Sequence, residues 1–104
     1  MSRALFEQNV HTQFTMHVEP GHTVTMELCG VRDGYPSDRY EQFAVTFKGP
    51  HSPVYPQRIY DFEHAATGRC SMFIVPIGQE PGATLYEAVF CWEKPRPQEG
   101  ENHG

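Results

Sequence analysis

Cysteine, positive charge and long apolar runs are all scarce in this sequence of 104 residues. The three cysteines, Cys29, Cys70 and Cys91, are odd in number and far apart, without a CxxC or CxxH spacing, which argues against a disulfide scaffold. Eight basic residues against thirteen acidic ones give a formal charge of −5, and such a charge repels phosphate backbones. We therefore expect no nucleic-acid partner.

The longest uncharged apolar run, from Met72 to Ile77, is about a third of a membrane span. The N-terminal sequence MSRALFEQ lacks the long apolar core of a signal peptide. We expect that the protein does not insert into a membrane. We also expect it to be made in the cytoplasm without a cleaved signal, while a role in an extracellular assembly stays open. No GxGxxG or Walker-type loop follows a predicted strand and opens a helix, so we expect no nucleotide or other cofactor.

Aromatic residues and period-2 alternation are what the sequence has in abundance. Seven Phe, five Tyr and one Trp must supply much of the core volume. Between Thr12 and Trp92, short runs alternate apolar with polar residues and end at Gly, Pro, Asp or Asn, which is typical of half-buried strands. The pattern predicts six strands, within residues 12–18, 22–31, 40–49, 57–64, 69–78 and 84–94.

Mainly short turns join these strands, and no long helical pattern separates them. We therefore predict an all-β fold, either a small antiparallel six-stranded barrel or a two-sheet sandwich. Residues 2–10 predict a short helical segment, and the fifth strand, apolar on both faces, is predicted to be central or covered. We expect one domain over residues 1–94 and a disordered tail over residues 95–104, which contain no apolar residue.

The first candidate for chemistry is Glu63 next to His64, just before the turn HAATG. Neighbouring strand residues point to opposite faces, so these two side chains cannot act as a base and its orienting carboxylate. His64 shares a face with Tyr60 and Phe62. We interpret His64 as a buried side chain that donates to a backbone carbonyl across the turn, with a metal ligand or a partner contact as alternatives.

Two further groups of polar residues are candidates for a site. Three histidines, His11, His17 and His22, have positions that could bring them to one outer face, but no HxH or HExxH spacing supports zinc, and we interpret them as solvated. The carboxylates could supply a pair for acid and base catalysis, although nearby arginines are their more ordinary partners. These carboxylates are Glu41, Asp61, Glu63 and Glu87, and the arginines are Arg39, Arg58 and Arg69.

Three segments, YEQFAVTFKGP, YPQRIYDFEHAATGRCSMFIVPIG and YEAVF, resemble a family of short bacterial and phage-associated β domains of unknown function. One departure is Thr67, where the family pattern has Leu before the glycine that opens the fifth strand. The resemblance implies a small β domain with unassigned chemistry and supplies no catalytic residue. It also implies an association with phage-tail or tail-collar-like proteins.

We therefore predict a non-catalytic domain that binds another protein or a second copy of itself, as an accessory or adaptor in a phage-tail-like or fibre-like assembly. The expected contact residues are Tyr35, Tyr55, His64 and Trp92, because aromatic residues dominate interface hot spots. We predict no catalytic, cofactor or metal site. The alternative hypothesis is a small enzyme or ligand-binding barrel that uses His64 with Glu41 or Glu87 in a cavity.

Overall fold

The structure is a computed structural model that describes residues 2–93. Helix α1 spans Arg3–Glu7, and the strands are β1 Gln13–Glu19, β2 His22–Asp33, β3 Tyr40–Pro50, β4 Arg58–His64, β5 Gly68–Glu80 and β6 Ala83–Glu93. The six predicted strands and the N-terminal helical segment are confirmed, and β2 and β5 run on past their predicted ends. The predicted tail, residues 95–104, lies outside the described residues. Between residues 2 and 93, no helix is long and apolar enough to cross a membrane.

The six strands form one antiparallel sheet that closes into a barrel in the order β1-β2-β3-β6-β5-β4. The longest ladder joins β3 to β6, from Tyr40 opposite Glu93 to Pro50 opposite Ala83. The ring closes between β1 and β4 over a short ladder from Thr15↔Glu63 to His17↔Asp61. Of the two predicted architectures, the barrel is therefore the correct one.

Two of the hairpins turn on the same dipeptide, Pro-Gly. Pro20 and Gly21 join β1 to β2, whereas Pro81 and Gly82 join β5 to β6, and the two glycines have φ of +82° and +83°. Proline holds φ at about −65° in the first turn position, and glycine accepts the positive φ of the second position, as in a type II turn. This chemistry explains why both hairpins are tight.

Aromatic rings fill the barrel interior. Phe47 of β3 lies with its ring centroid 5.3 Å from the centroids of both Phe14 and Phe62, and all three side chains are buried. Gly49, further along β3, has no room for a side chain, because a Cβ there would lie 2.6 Å from the sulfur of Met26. Also buried are Met16, Val24, Leu28, Phe43, Val45, Tyr60, Met72, Ile74, Tyr86 and Ala88.

Helix α1 closes the end of the barrel where β3 begins and β6 ends. The hydroxyl of Ser2 accepts a hydrogen bond from the N–H of Leu5 and caps the helix. Phe6 is fully buried, with ring centroids 6.1 Å from Phe43 and 5.4 Å from Phe90. Because a helix of five residues is not stable alone, the burial of Phe6 is what holds it in place.

Candidate interaction surface

His64, the last residue of β4, ties the following turn to the N-terminal segment. Its Nδ1 accepts hydrogen bonds from the backbone N–H groups of Ala66 and Thr67, at 3.0 and 3.2 Å. Its Nε2 lies 2.8 Å from Oγ1 of Thr12, and that hydroxyl donates to the carbonyl of Asn9. Because Nδ1 accepts and the hydroxyl proton is already donated, these partners assign the neutral tautomer with the proton on Nε2.

The expected hydrogen bond of His64 was therefore wrong in direction. We expected the ring to donate to a backbone carbonyl, but the turn presents its amide groups to the ring instead. The half-buried ring also packs on Phe14, with centroids 4.2 Å apart. Both ring nitrogens are engaged within the chain, so binding a metal ion or a substrate there would require these hydrogen bonds to break.

Glu63 points away from His64, as the alternation of a strand predicts. Its Oε1 lies 2.5 Å from Nε2 of His17 on β1, and its Oε2 lies 3.9 Å from Nη1 of Arg69 on β5. His17 and Glu63 belong to the two strands whose short ladder closes the ring. Their contact therefore reinforces the barrel closure, and Glu63 and His64 do not form a catalytic pair.

The three N-terminal histidines do not converge on one point. Nδ1 of His11 lies 3.4 Å from Oε2 of Glu27, and His22 lies edge-on to Tyr55 with ring centroids 6.1 Å apart. His11 and His17 thus have carboxylate partners, which corrects the interpretation that they are only solvated. In the part of the chain that the structure describes, no group of three or more His, Cys, Asp or Glu side chains could hold a metal ion.

The carboxylates of the alternative hypothesis lie in different surroundings from His64. Glu87 is on the outer face of β6 and forms an ion pair with Arg32 of β2, across the intervening strand β3. Glu41 is exposed and lines a shallow depression beside Tyr35, whereas His64 borders another depression next to β1. His64, Glu41 and Glu87 therefore occupy three separate environments.

The aromatic residues expected to contact a partner lie at two opposite ends of the barrel. Tyr35 is 86% exposed in the loop after β2, and Trp92 is 37% exposed and lies edge-on to Phe43. Tyr55 is at the other end and is buried, so its prediction as an exposed aromatic residue was wrong. Its backbone N–H donates to the hydroxyl of Tyr86 at 2.9 Å. This bond fixes residues 51–57, which we call the proline-rich loop, at the end of the barrel where β3 ends and β4 begins.

The outer face of β5 is more exposed to solvent than the sequence predicts. Met72 and Ile74 point into the barrel and are buried. Phe73 and Ile77 remain 50% and 49% exposed, and Ile59 of β4, 64% exposed, lies directly opposite Phe73 in the antiparallel ladder. Of the two predictions for β5, a central strand or a covered one, β5 does lie between β6 and β4, whereas the cover is wrong, because a single sheet that closes on itself buries only one face of each strand.

We call Ile59, Phe73 and Ile77 the apolar strip. The next outward pair along the β4–β5 ladder is polar, since the hydroxyl of Ser71 donates to Asp61 at 2.6 Å. Single exposed apolar side chains are ordinary on protein surfaces, but Ile59 and Phe73 are directly paired and form one patch, and Ile77 lies four residues farther along β5. Sequence reasoning missed this patch, although the apolar run over residues 72–77 was its signal.

The hydroxyl groups of two tyrosines form hydrogen bonds with the proline-rich loop. The hydroxyl of Tyr86 accepts from Tyr55, and the hydroxyl of Tyr60 donates to the carbonyl of Pro56 at 2.6 Å. Burial raises the pKa of both phenols, although in Tyr86 the hydrogen bond from the backbone opposes the shift. Burial also raises the pKa of the Cys70 thiol. All three groups therefore hold their protons more tightly in the folded protein.

We expect the protein to lose stability in alkaline solution. The unfolded chain releases these protons near the ordinary pKa values, about 8.5 for a thiol and about 10 for a phenol, while the folded chain retains them. Their contribution to the free energy of unfolding is therefore complete below the ordinary pKa values. It is lost as pH rises through the raised pKa values of the folded protein. Thermal unfolding from about pH 7 to about pH 11 should show Tm falling above about pH 9, with a shallower fall for Tyr86→Phe. Equal slopes for that variant and the wild type would contradict the prediction.

Comparisons with known proteins identify the family of the chain. No curated protein and no solved structure matches the sequence. A family model described as a domain of unknown function, DUF6916, matches residues 1–90, which include α1, the strands β1 to β5 and most of β6. This match confirms the resemblance to a domain family of unknown function. The chain therefore belongs to the DUF6916 family.

Proposed function

We propose that the protein is a non-catalytic protein-binding domain, which serves as an accessory or adaptor in a phage-tail-like or fibre-like assembly. The observation that carries this proposal is the apolar strip on the outer face of β4 and β5. Its side chains keep large apolar surfaces in water, and removing such surface from water is the main driving force of protein association. Polar groups border the strip, as they border the core of a typical interface.

The strip holds two large apolar side chains directly opposite each other in water. Full burial of a large apolar side chain contributes about 1.5–3 kcal/mol, and Ile59 and Phe73 are each at least half exposed. A partner that covers both would therefore gain affinity from two adjacent side chains held on a rigid ladder. The resemblance to phage-associated domains supports the tail-like or fibre-like context.

Most of the candidate groups for chemistry already form contacts that hold the fold. His64 bonds the turn amides and Thr12, Glu63 contacts His17, and Glu87 pairs with Arg32. These contacts favour a binding role. The alternative, an enzyme or ligand-binding barrel that uses His64 with Glu41 or Glu87, receives less support because the three lie in separate environments.

The double variant Ile59→Thr with Phe73→Thr tests the proposal. Because the pair is exposed, the free energy of unfolding should change by no more than about 1 kcal/mol. Tagged wild-type protein should retain a defined partner from a lysate of its source organism, and the folded double variant should lose it. Val54→Thr, at another exposed apolar residue in the proline-rich loop, is the matched control and should retain the partner. Equal capture by the double variant would contradict the proposal, as would the absence of any partner for the wild type.

A further inference from the structure

We propose that β6 pairs, along one edge, with the same edge of a second copy of the chain. This inference goes beyond the proposed function, because it concerns another strand and another partner. On one side, β6 pairs with β3 along its whole length. On the other side, its ladder with β5 starts at Ala83 and ends at Glu87, opposite Val75. Among residues 2–93, no strand pairs with that side of β6 beyond Glu87.

The two strands part because β5 follows β4 instead. Residues 68–74 of β5 pair with β4 from His64 back to Arg58. If the ladder between β5 and β6 continued past Val75 and Glu87, Phe73 would lie opposite Val89. Instead the strands diverge there, and Phe73 and Val89 are 50% and 54% exposed. Residues 88–92 of β6 therefore form an open strand edge, whose backbone N–H and C=O groups require partners.

This edge lacks the features that usually block strand addition. Proteins protect open edges with lysine, proline, inward charges or bulges, and the sequence AVFCW of residues 88–92 contains none of these. Such residues begin immediately afterwards, in the sequence Glu93-Lys94-Pro95. The unprotected edge is thus confined to one short segment that a single added strand would cover.

The sequence of the edge fits an antiparallel copy of itself. A two-fold axis at Phe90 places Ala88 opposite Trp92 of the second copy and Val89 opposite Cys91 of the second copy. A small residue thus meets a large one on the inner face, and two exposed residues meet on the outer face. Antiparallel pairing about a two-fold axis needs only one kind of surface, which makes a second copy the fitting occupant.

The charges at the two ends of this pairing are compensated within each chain. Glu87 already faces Val75 of β5 on this edge, so the pairing with the second copy ends at Ala88 opposite Trp92 and leaves Glu93 of the second copy near Glu87. Each of these carboxylates already has an arginine, because Arg32 pairs with Glu87 and Arg39 pairs with Glu93. Two short strands bury less than the roughly 1,200 Å² of a stable interface, so we expect a reversible, concentration-dependent dimer.

Cysteine cross-linking of the full chain tests this register. In Val89→Cys, the new thiol would lie opposite Cys91 of the second copy, with Cα atoms about 4.5–5.5 Å apart, which is within the range for a disulfide under mild oxidation. We expect a covalent dimer at a yield at least about tenfold above that of the wild type. Adding Cys91→Ser should abolish the covalent dimer, and Ile59→Cys, on the apolar strip, should form no covalent dimer above the wild-type level.

Sedimentation provides a second measurement. The wild type should shift from monomer to dimer as its concentration rises, and Val89→Lys should remain monomeric with unchanged thermal stability. Equal cross-linking of Val89→Cys and Ile59→Cys would overturn the inference, and so would a folded Val89→Cys that forms no dimer. Because neither Val89 nor Cys91 belongs to the apolar strip, failure here would leave partner capture through Ile59 and Phe73 unaffected.

Discussion

Replacement of Phe47 by alanine is expected to lower the free energy of unfolding by about 3–5 kcal/mol. The ring is fully buried and packs between Phe14 and Phe62 at the centre of the barrel. A continuous ladder with β6 and a ladder with β2, which has an irregularity between Leu28 and Gly30, hold β3 on both sides. Because these strands cannot close onto the space that is left, the variant keeps a cavity and loses both the transfer energy and the ring contacts.

Phe73→Ala is the matched control for this change, since the same atoms are removed from the outer face of β5. Half of that side chain is already in water, so its loss should cost about 1 kcal/mol or less. Urea unfolding of both variants, followed by circular dichroism, measures the difference. Equal losses would mean that Phe73 contributes to a packed layer, and would contradict the assignment of the strip as free surface.

His64→Ala should have the second largest effect, a loss of about 2–3 kcal/mol in the free energy of unfolding. The variant leaves the N–H groups of Ala66 and Thr67 without their acceptor and removes the link to Thr12. It also removes the ring that packs on Phe14. Native-state hydrogen exchange should show the greatest loss of protection in the turn after β4.

A double-mutant cycle separates the two halves of this network. His64→Asn keeps an acceptor near the position of Nδ1, so it should recover part of the stability, but its shorter side chain does not reach Thr12. Thr12→Val should therefore destabilise the wild type by about 1 kcal/mol more than the His64→Asn variant, in which only the bond from Thr12 to Asn9 remains to be lost. Additive losses would show that the contact between His64 and Thr12 contributes nothing to stability.

Local patterns predicted all six strands. In β3, for example, Phe43, Val45 and Phe47 recur at every second position, and all three are buried. These features depend on sterics and burial within a few residues of chain. The choice between barrel and sandwich depended on the short ladder between β1 and β4, which are separated by two intervening strands in the chain and carry no local signal for their pairing.

The same limit explains the errors at the candidate site. Tyr55 lies within the proline-rich loop, where loop residues are ordinarily exposed, but its backbone is held by Tyr86, which lies 31 positions along the chain. The pairing of Arg32 with Glu87 joins residues 55 positions apart. Whether Phe73 lay under a cover could not be predicted, because alternation assigns a side chain to a face and says nothing of what lies beyond that face.

The central claim is that the apolar strip is the surface that meets a partner. A photo-crosslinking aromatic amino acid in place of Phe73, within the full chain in cells of its source organism, tests this most directly. The same replacement at Tyr35 is the control, because Tyr35 is 86% exposed against 50% for Phe73 and random collisions would favour it. We predict a discrete protein adduct at position 73 in greater yield than at position 35. An adduct at position 35 with none at position 73 would contradict the claim.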